Sequence, residues 1–145
     1  MAGDVRVPIE SDADIVTARQ QGRSLAARAG FGNSELTLIA TAISEVARNI
    51  VEYAGRGEVI LSLTEGSNSQ GIVVVARDQG PGIPNLEQAL RDGYSTHGSL
   101  GLGLPGARRL MDEFEIVSEV GKGTTVTMKK WMQRSSTRFP LSSRP

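Results

Sequence analysis

Three short stretches of the chain bring together residue types that could do chemistry. In "ISEVARNIVEYAG", residues 43–55, Glu45 and Asn49 stand four apart with Arg48 between them. On a helix that spacing places both on one face, the face opposite the apolar stripe that runs through the same segment. One carboxylate and one amide oxygen suit a hard cation such as Mg²⁺, which takes its remaining ligands from phosphates and water. Taken alone, the pair also fits an ordinary solvated helix flank. In "ARDQGPGIP", residues 76–84, an apolar strand ends in Asp78 and the chain reverses at once through Gly80, Pro81 and Gly82. A carboxylate at a strand end beside a tight glycine turn can accept hydrogen bonds deep in a pocket, although an acidic surface turn has the same composition. In "HGSLGLGLPGARRLMDEF", residues 97–114, Gly98, Gly101, Gly103 and Gly106 lead into a helix that Pro105 helps to start. Backbone N–H groups exposed by glycine at a helix N-terminus form an anion site, so this stretch reads as a phosphate-binding lid.

Gly101, Gly103 and Gly106 also spell the dinucleotide fingerprint G-x-G-x-x-G. That motif requires a strand directly before it and a parallel sheet after it. Here the polar "LRDGYSTHGS" precedes the glycines, and too little chain follows to build the sheet. The phosphate-loop pattern G-x-x-x-x-G-K-[ST] is absent as well.

The elements that must position these groups follow from periodicity. "VRVPI" (5–9) reads as a strand, and its proline places it at a sheet edge. "SDAD" (11–14) matches the S-x-x-D capping signal. Behind it Ile15, Ala18, Gly22, Leu25, Ala26 and Ala29 recur at helical spacing until Gly30. A second helix runs from about Ser34 to Tyr53 with the stripe Leu36, Ile39, Ala40, Ile43, Val46, Ala47 and Ile50. "EVILSLTE" (58–65) and "GIVVVARD" (71–78) are strands joined by a turn. Leu104–Met111 is helical, and "FEIVSEV" and "TTVTMKKW" close the domain as a hairpin around "GKG". This order predicts an α+β sandwich, with helices on one face of a mixed, mostly antiparallel sheet.

The 145 residues suit one domain over 1–132, followed by a polar tail over 133–145 that is expected to be disordered. Sixteen basic residues balance sixteen acidic ones, which argues against electrostatic binding to nucleic acid or an anionic membrane. There is no cysteine, hence no disulfide or thiolate metal site, as suits a reducing cytoplasm. No apolar run approaches the ~20 residues of a membrane span, and "MAGDVRVPIESDAD" lacks a signal-peptide core.

In order and spacing, E-x-x-x-N, D-x-G-x-G, a glycine-rich lid and G-x-G-T resemble the Bergerat-type ATP-binding fold. Gyrase, Hsp90, histidine kinases and MutL share that fold, also called the GHKL or HATPase_c superfamily. The matching residues are Glu45 and Asn49, then Asp78, Gly80 and Gly82, then Gly98, Gly101 and Gly103, then Gly121, Gly123 and Thr124. The likeness covers about residues 5–132. "TAISEVARNI", "DQGPGIP" and "GLGLPGARRLMDEFEI" look most like the small serine-protein kinases of the bacterial stressosome, within the anti-sigma regulatory kinase group.

The resemblance implies roles. Asp78 would accept the adenine amino group, with Thr124 supporting the base. Gly80 and Gly82 would let the chain pass close to the nucleotide, and the lid from about Arg91 to Gly103 would cover the phosphates of ATP. Asn49 would carry Mg²⁺, and Glu45 would be the general base. Arg48 and Arg91 are both candidates to neutralise the γ-phosphate, and His97 is either a phosphate contact or a lid-surface residue. A histidine kinase or a topoisomerase would need further domains that 145 residues do not hold. The resemblance therefore points to a cytoplasmic kinase that phosphorylates STAS-domain scaffold or antagonist proteins and then activates a PP2C-type phosphatase by binding it. A nucleotide-dependent binding module of the anti-sigma factor type is the alternative.

Overall fold

The structure, a computed structural model, describes residues 4–66, 68–83, 90 and 103–132. Strands form where apolar residues alternate, and helices where they recur every third or fourth position. Strand β1 (Val5–Ile9) leads into helix α1 (Asp12–Ala29), helix α2 (Asn33–Tyr53), strands β2 (Gly57–Glu65) and β3 (Gln70–Asp78), helix α3 (Gly103–Leu110), and strands β4 (Glu113–Glu119) and β5 (Gly123–Trp131). The expected elements are all present, with boundaries shifted by a residue or so.

One five-stranded sheet has the order β1-β2-β3-β5-β4. Every pairing is antiparallel, so the parallel component that a mixed sheet allows does not occur among the described residues. Pro8 sits on the edge strand β1, where a missing N–H donor costs no ladder bond. β5 threads between β3 and β4, which brings the G-x-G-T stretch beside Asp78.

The sheet's inner face carries Val7, Ile9, Val59, Leu61, Ile72, Val74, Ala76, Val126 and Met128, all buried. Helices α1 and α2 pack on that face and against each other. Their crossing is close at Gly22, where a side chain would fall on the Cδ1 atom of Ile43. Gly30 ends α1 in the left-handed region, as the sequence pattern expected. The S-x-x-D signal at the start of α1 works only from its acidic end. The Ser11 side chain makes no capping bond, and instead the Asp14 Oδ2 atom accepts the Glu10 N–H at 2.8 Å.

Helix α3 packs against α2 through Leu104, Pro105, Gly106 and Ala107. Its small residues allow a close approach. The outer face of the sheet is more polar, and there Glu58 pairs with Arg6 and Arg77.

Candidate nucleotide-binding site

The site is built at one end of the sheet, where three strand termini meet the C-terminal turns of α2. Asp78 is the last residue of β3 and pairs in register with Gly57 on one side and Thr124 on the other. Thr124 in turn pairs with Ser118 of β4. Residues directly opposite on an antiparallel ladder share a face, so Asp78, Thr124 and Ser118 form one polar row on the helix side of the sheet. Thr124 is only 5% exposed, yet its hydroxyl lies 2.8 Å from the Ser118 Oγ atom.

The turn after Asp78 is held from both sides. The Gly80 N–H donates to the Asp78 Oδ1 atom at 2.9 Å, which orients the carboxylate through its own turn and leaves the second oxygen for another donor. A Cβ on Gly80 would lie 2.6 Å from the Cβ of Ala54 at the end of α2, so glycine is what seats this turn against the helix. Gly82 has φ +80°, and a Cβ there would overlap the Glu119 carbonyl. The gap is zipped by hydrogen bonds from the Gly121 N–H to the Pro81 carbonyl at 2.8 Å and from the Ile83 N–H to the Ser118 Oγ atom at 2.7 Å. The D-x-G-x-G turn and the G-x-G turn between β4 and β5 are therefore one clasped unit. Ser118 ties three parts of that unit together, and the sequence reading did not single it out. Its signal was period-two alternation: it follows Phe114 and Ile116 on the inward side of β4.

Glu45 and Asn49 lie farther along α2, on the face they share with Arg48. The distance from Ala54 back to Glu45 is nine helical steps, about 13 Å at 1.5 Å per residue, comparable to the reach of an extended nucleoside triphosphate. The sequence pattern placed Glu45 on the face opposite the apolar stripe, and the structure buries it to 7% exposure. The reason is tertiary: α1, α3 and the sheet all pack against α2, which buries more of the helix than its own apolar stripe marks. Such a carboxylate requires a compensating partner, and the Arg48 Nη1 atom stands 3.2 Å from its Oε2 atom.

Among the described residues no group of three or more His, Cys, Asp or Glu side chains could hold a metal ion. What the α2 face offers is one amide oxygen beside one carboxylate. That donor set fits Mg²⁺ entering with a nucleotide, because phosphates and water then complete its shell.

Gly103 opens α3, so the described end of the glycine run meets a helix N-terminus, whose free N–H groups favour anions. Gly98 and Gly101, together with Arg91 and His97, lie outside the described residues.

Comparison with known proteins agrees with this arrangement. A family model for the histidine kinase-like ATPase domain matches residues 9–130. The chain is 47% identical over 127 residues to the serine/threonine-protein kinase RsbT of Bacillus subtilis, covering 88% of this chain and 96% of that one. It is 34% identical over 108 residues to the anti-sigma F factor of Bacillus licheniformis, covering 70% of this chain and 73% of the relative. Among solved structures, the RsbU and RsbW domains of a Mycobacterium tuberculosis protein superpose with a TM-score of 0.63 at 23% identity. That match covers 92% of this chain and 34% of the larger one, so this chain spans about a third of it. The mycobacterial sensor histidine kinase MprB gives 0.53 at 19% identity, covering 89% of this chain and 99% of that one. At such identities the two structures speak for the fold alone. The clasped turns, the acidic strand end and the Glu/Asn helix thus occur in a chain that belongs to the histidine kinase-like ATPase domain family.

Proposed function

We propose that this protein is a serine/threonine-protein kinase that moves the γ-phosphoryl group of ATP to a serine of a small regulatory protein. The observation that carries the reading is the burial of Glu45, ion-paired, on the same α2 face as Asn49. Family membership and the 47% identity to a serine/threonine-protein kinase support it.

In this reading Asp78 accepts the adenine amino group through the oxygen that the Gly80 N–H leaves open. Thr124 supports the base from the adjacent strand, and Gly80 and Gly82 keep the chain thin enough to pass close to it. Gly98, Gly101 and Gly103 give the phosphates a backbone cradle that ends at α3. Asn49, with phosphate oxygens, would hold Mg²⁺, which would supply neutralisation of phosphate charge. Glu45 takes the proton of the incoming serine hydroxyl. The serine oxygen bonds to the γ-phosphorus as the bond from that phosphorus to the bridging oxygen breaks, and ADP leaves with the electron pair. Phosphoryl transfer asks mainly for position and charge neutralisation, so one base, one amide ligand and a backbone cradle suffice.

The protein substrates are STAS-domain scaffold or antagonist proteins of a stressosome. Phosphorylation adds about −1.5 to −2 charges at the contact, beside Glu45 and Glu52. The kinase is then released to bind and activate a PP2C-type phosphatase in the cytoplasm. Likeness to an anti-sigma F factor favours a second reading, in which nucleotide-dependent binding alone is the function. Transfer of radiolabel from γ-labelled ATP to a co-encoded STAS protein separates the two. Stoichiometric label on serine is expected, and tight binding without label would leave only the binding module.

A further inference from the structure

Two arginines were candidates for the transferring phosphate; Arg91 lies outside the described residues, and Arg48 lies within them, on α2. We propose that Arg48 bridges the base and the γ-phosphate, holding Glu45 with one edge of its guanidinium and the terminal phosphate with another. In that role it gives the site its preference for a nucleoside triphosphate over a diphosphate. The inference rests on the reading that the α2 face receives ATP.

The first support is the position of Arg48 at the boundary of the site. Its side chain is 37% exposed, whereas that of its partner Glu45 is 9% exposed, so the guanidinium spans from the buried carboxylate to the open face. A guanidinium carries five N–H donors in a planar fork. Among the described residues the one partner of Arg48 is Glu45, whose Oε2 atom lies 3.2 Å from Nη1. The free donors can meet phosphate oxygens without releasing the base, which a lysine's single ammonium cannot do as well.

The charge on the face is the second support. Thr41, Glu45, Asn49 and Glu52 follow one another at three- and four-residue spacing along α2, and Arg48 stands three residues after Glu45 and four before Glu52. A triphosphate placed there meets two carboxylates, and Arg48 is the one cation in that set. Catalysis of phosphoryl transfer needs positive charge where the equatorial oxygens of the γ-phosphate gather electron density. Because Glu45 must face the attacking hydroxyl and Asn49 the phosphate-bound metal, the γ-phosphate lies over the turn that contains Arg48.

An Arg48 that only compensates the burial of Glu45 would leave nucleotide preference untouched, and this separates the two roles. Calorimetric titration with Mg-ATP and Mg-ADP, without acceptor protein, is performed on the parent, Arg48→Gln and Arg48→Lys. A charge-assisted hydrogen bond to the γ-phosphate corresponds to roughly a ten- to hundredfold contribution to affinity. Arg48→Gln should lose that factor for ATP and leave ADP binding unchanged, with Arg48→Lys intermediate. Should Arg48→Gln fail to fold, Arg48→Lys keeps a charge opposite Glu45 and its reduced ATP-to-ADP preference decides. A parental ATP-to-ADP ratio in a folded variant overturns the bridge while leaving the kinase reading intact. A parent that binds neither nucleotide overturns both.

Discussion

Replacing Asp78 by asparagine sets two hydrogen bonds in competition. The aspartate holds the Gly80 N–H with Oδ1 at 2.9 Å and, in the proposed role, keeps Oδ2 for the adenine amino group. An asparagine has a single carbonyl oxygen and an amide that can only donate. If the oxygen stays on Gly80, the amide faces the adenine amino group, donor against donor. If it turns to the base, the Gly80 N–H loses its acceptor in a turn that is packed against Ala54. A hydrogen bond to a charged group contributes about 1.5–3 kcal/mol net, so the first outcome weakens ATP binding by roughly ten- to hundredfold. The second preserves more affinity but destabilises the empty protein by about 1 kcal/mol, the net worth of a hydrogen bond at a half-buried donor. Titration calorimetry with Mg-ATP, run beside thermal unfolding of the nucleotide-free variant, reads both terms. Asp78→Asn with parental affinity and parental melting temperature would refute the adenine role of Asp78.

Two further outcomes follow from the same geometry. Ser118→Ala removes the acceptor of the Ile83 N–H and the partner of the buried Thr124 hydroxyl; it should lower stability by about 1–3 kcal/mol and weaken ATP binding, whereas Ser118→Thr restores both, as denaturant titration and calorimetry would report. On the outer face, the Arg77 hydrogen bond, aided by Arg6, holds the Glu58 carboxyl below its ordinary value. A lowered carboxylate pKa contributes stability that is complete above the unfolded value and lost as pH falls through the folded one. Removing Arg77 should therefore flatten the acid limb of the stability curve, by no more than about 1 kcal/mol for so exposed a pair. An unchanged acid limb in denaturant titrations of Arg77→Ala would contradict this.

Much of the architecture was legible in the sequence because local signals agreed with the fold. The apolar run in "GIVVVARD", the proline in "VRVPI" and the stripe from Leu36 to Ile50 each correspond to a buried strand, an edge or a buried face in the structure. Features set by distant contacts were not legible. Nothing local to β5 says that it inserts between β3 and β4, yet that insertion sets Thr124 beside Asp78. The burial of Glu45 comes from tertiary packing on α2, to which elements as distant as α3, more than fifty residues later in the chain, contribute. Ser118 is a polar residue on a strand, and its importance lies in touching Ile83, thirty-five positions away. The Ser11 motif was present without the bond it usually signals, because Asp14 alone satisfies the donor at the helix entry. The Glu/Asn pair and the acidic strand end needed only sequence spacing to be found, whereas their assembly into one site needed the sheet order.

The central claim is that Glu45 serves chemistry while Asp78 and its neighbours serve binding. The most direct test measures Mg-ATP affinity and the rate of phosphotransfer to a STAS-domain substrate on the same preparation of Glu45→Ala. The expected result is nucleotide affinity close to that of the parent with transfer reduced roughly 10²–10⁴-fold, the usual contribution of a positioned base. Transfer at the parental rate, or affinity and transfer lost together in a folded protein, would contradict the account.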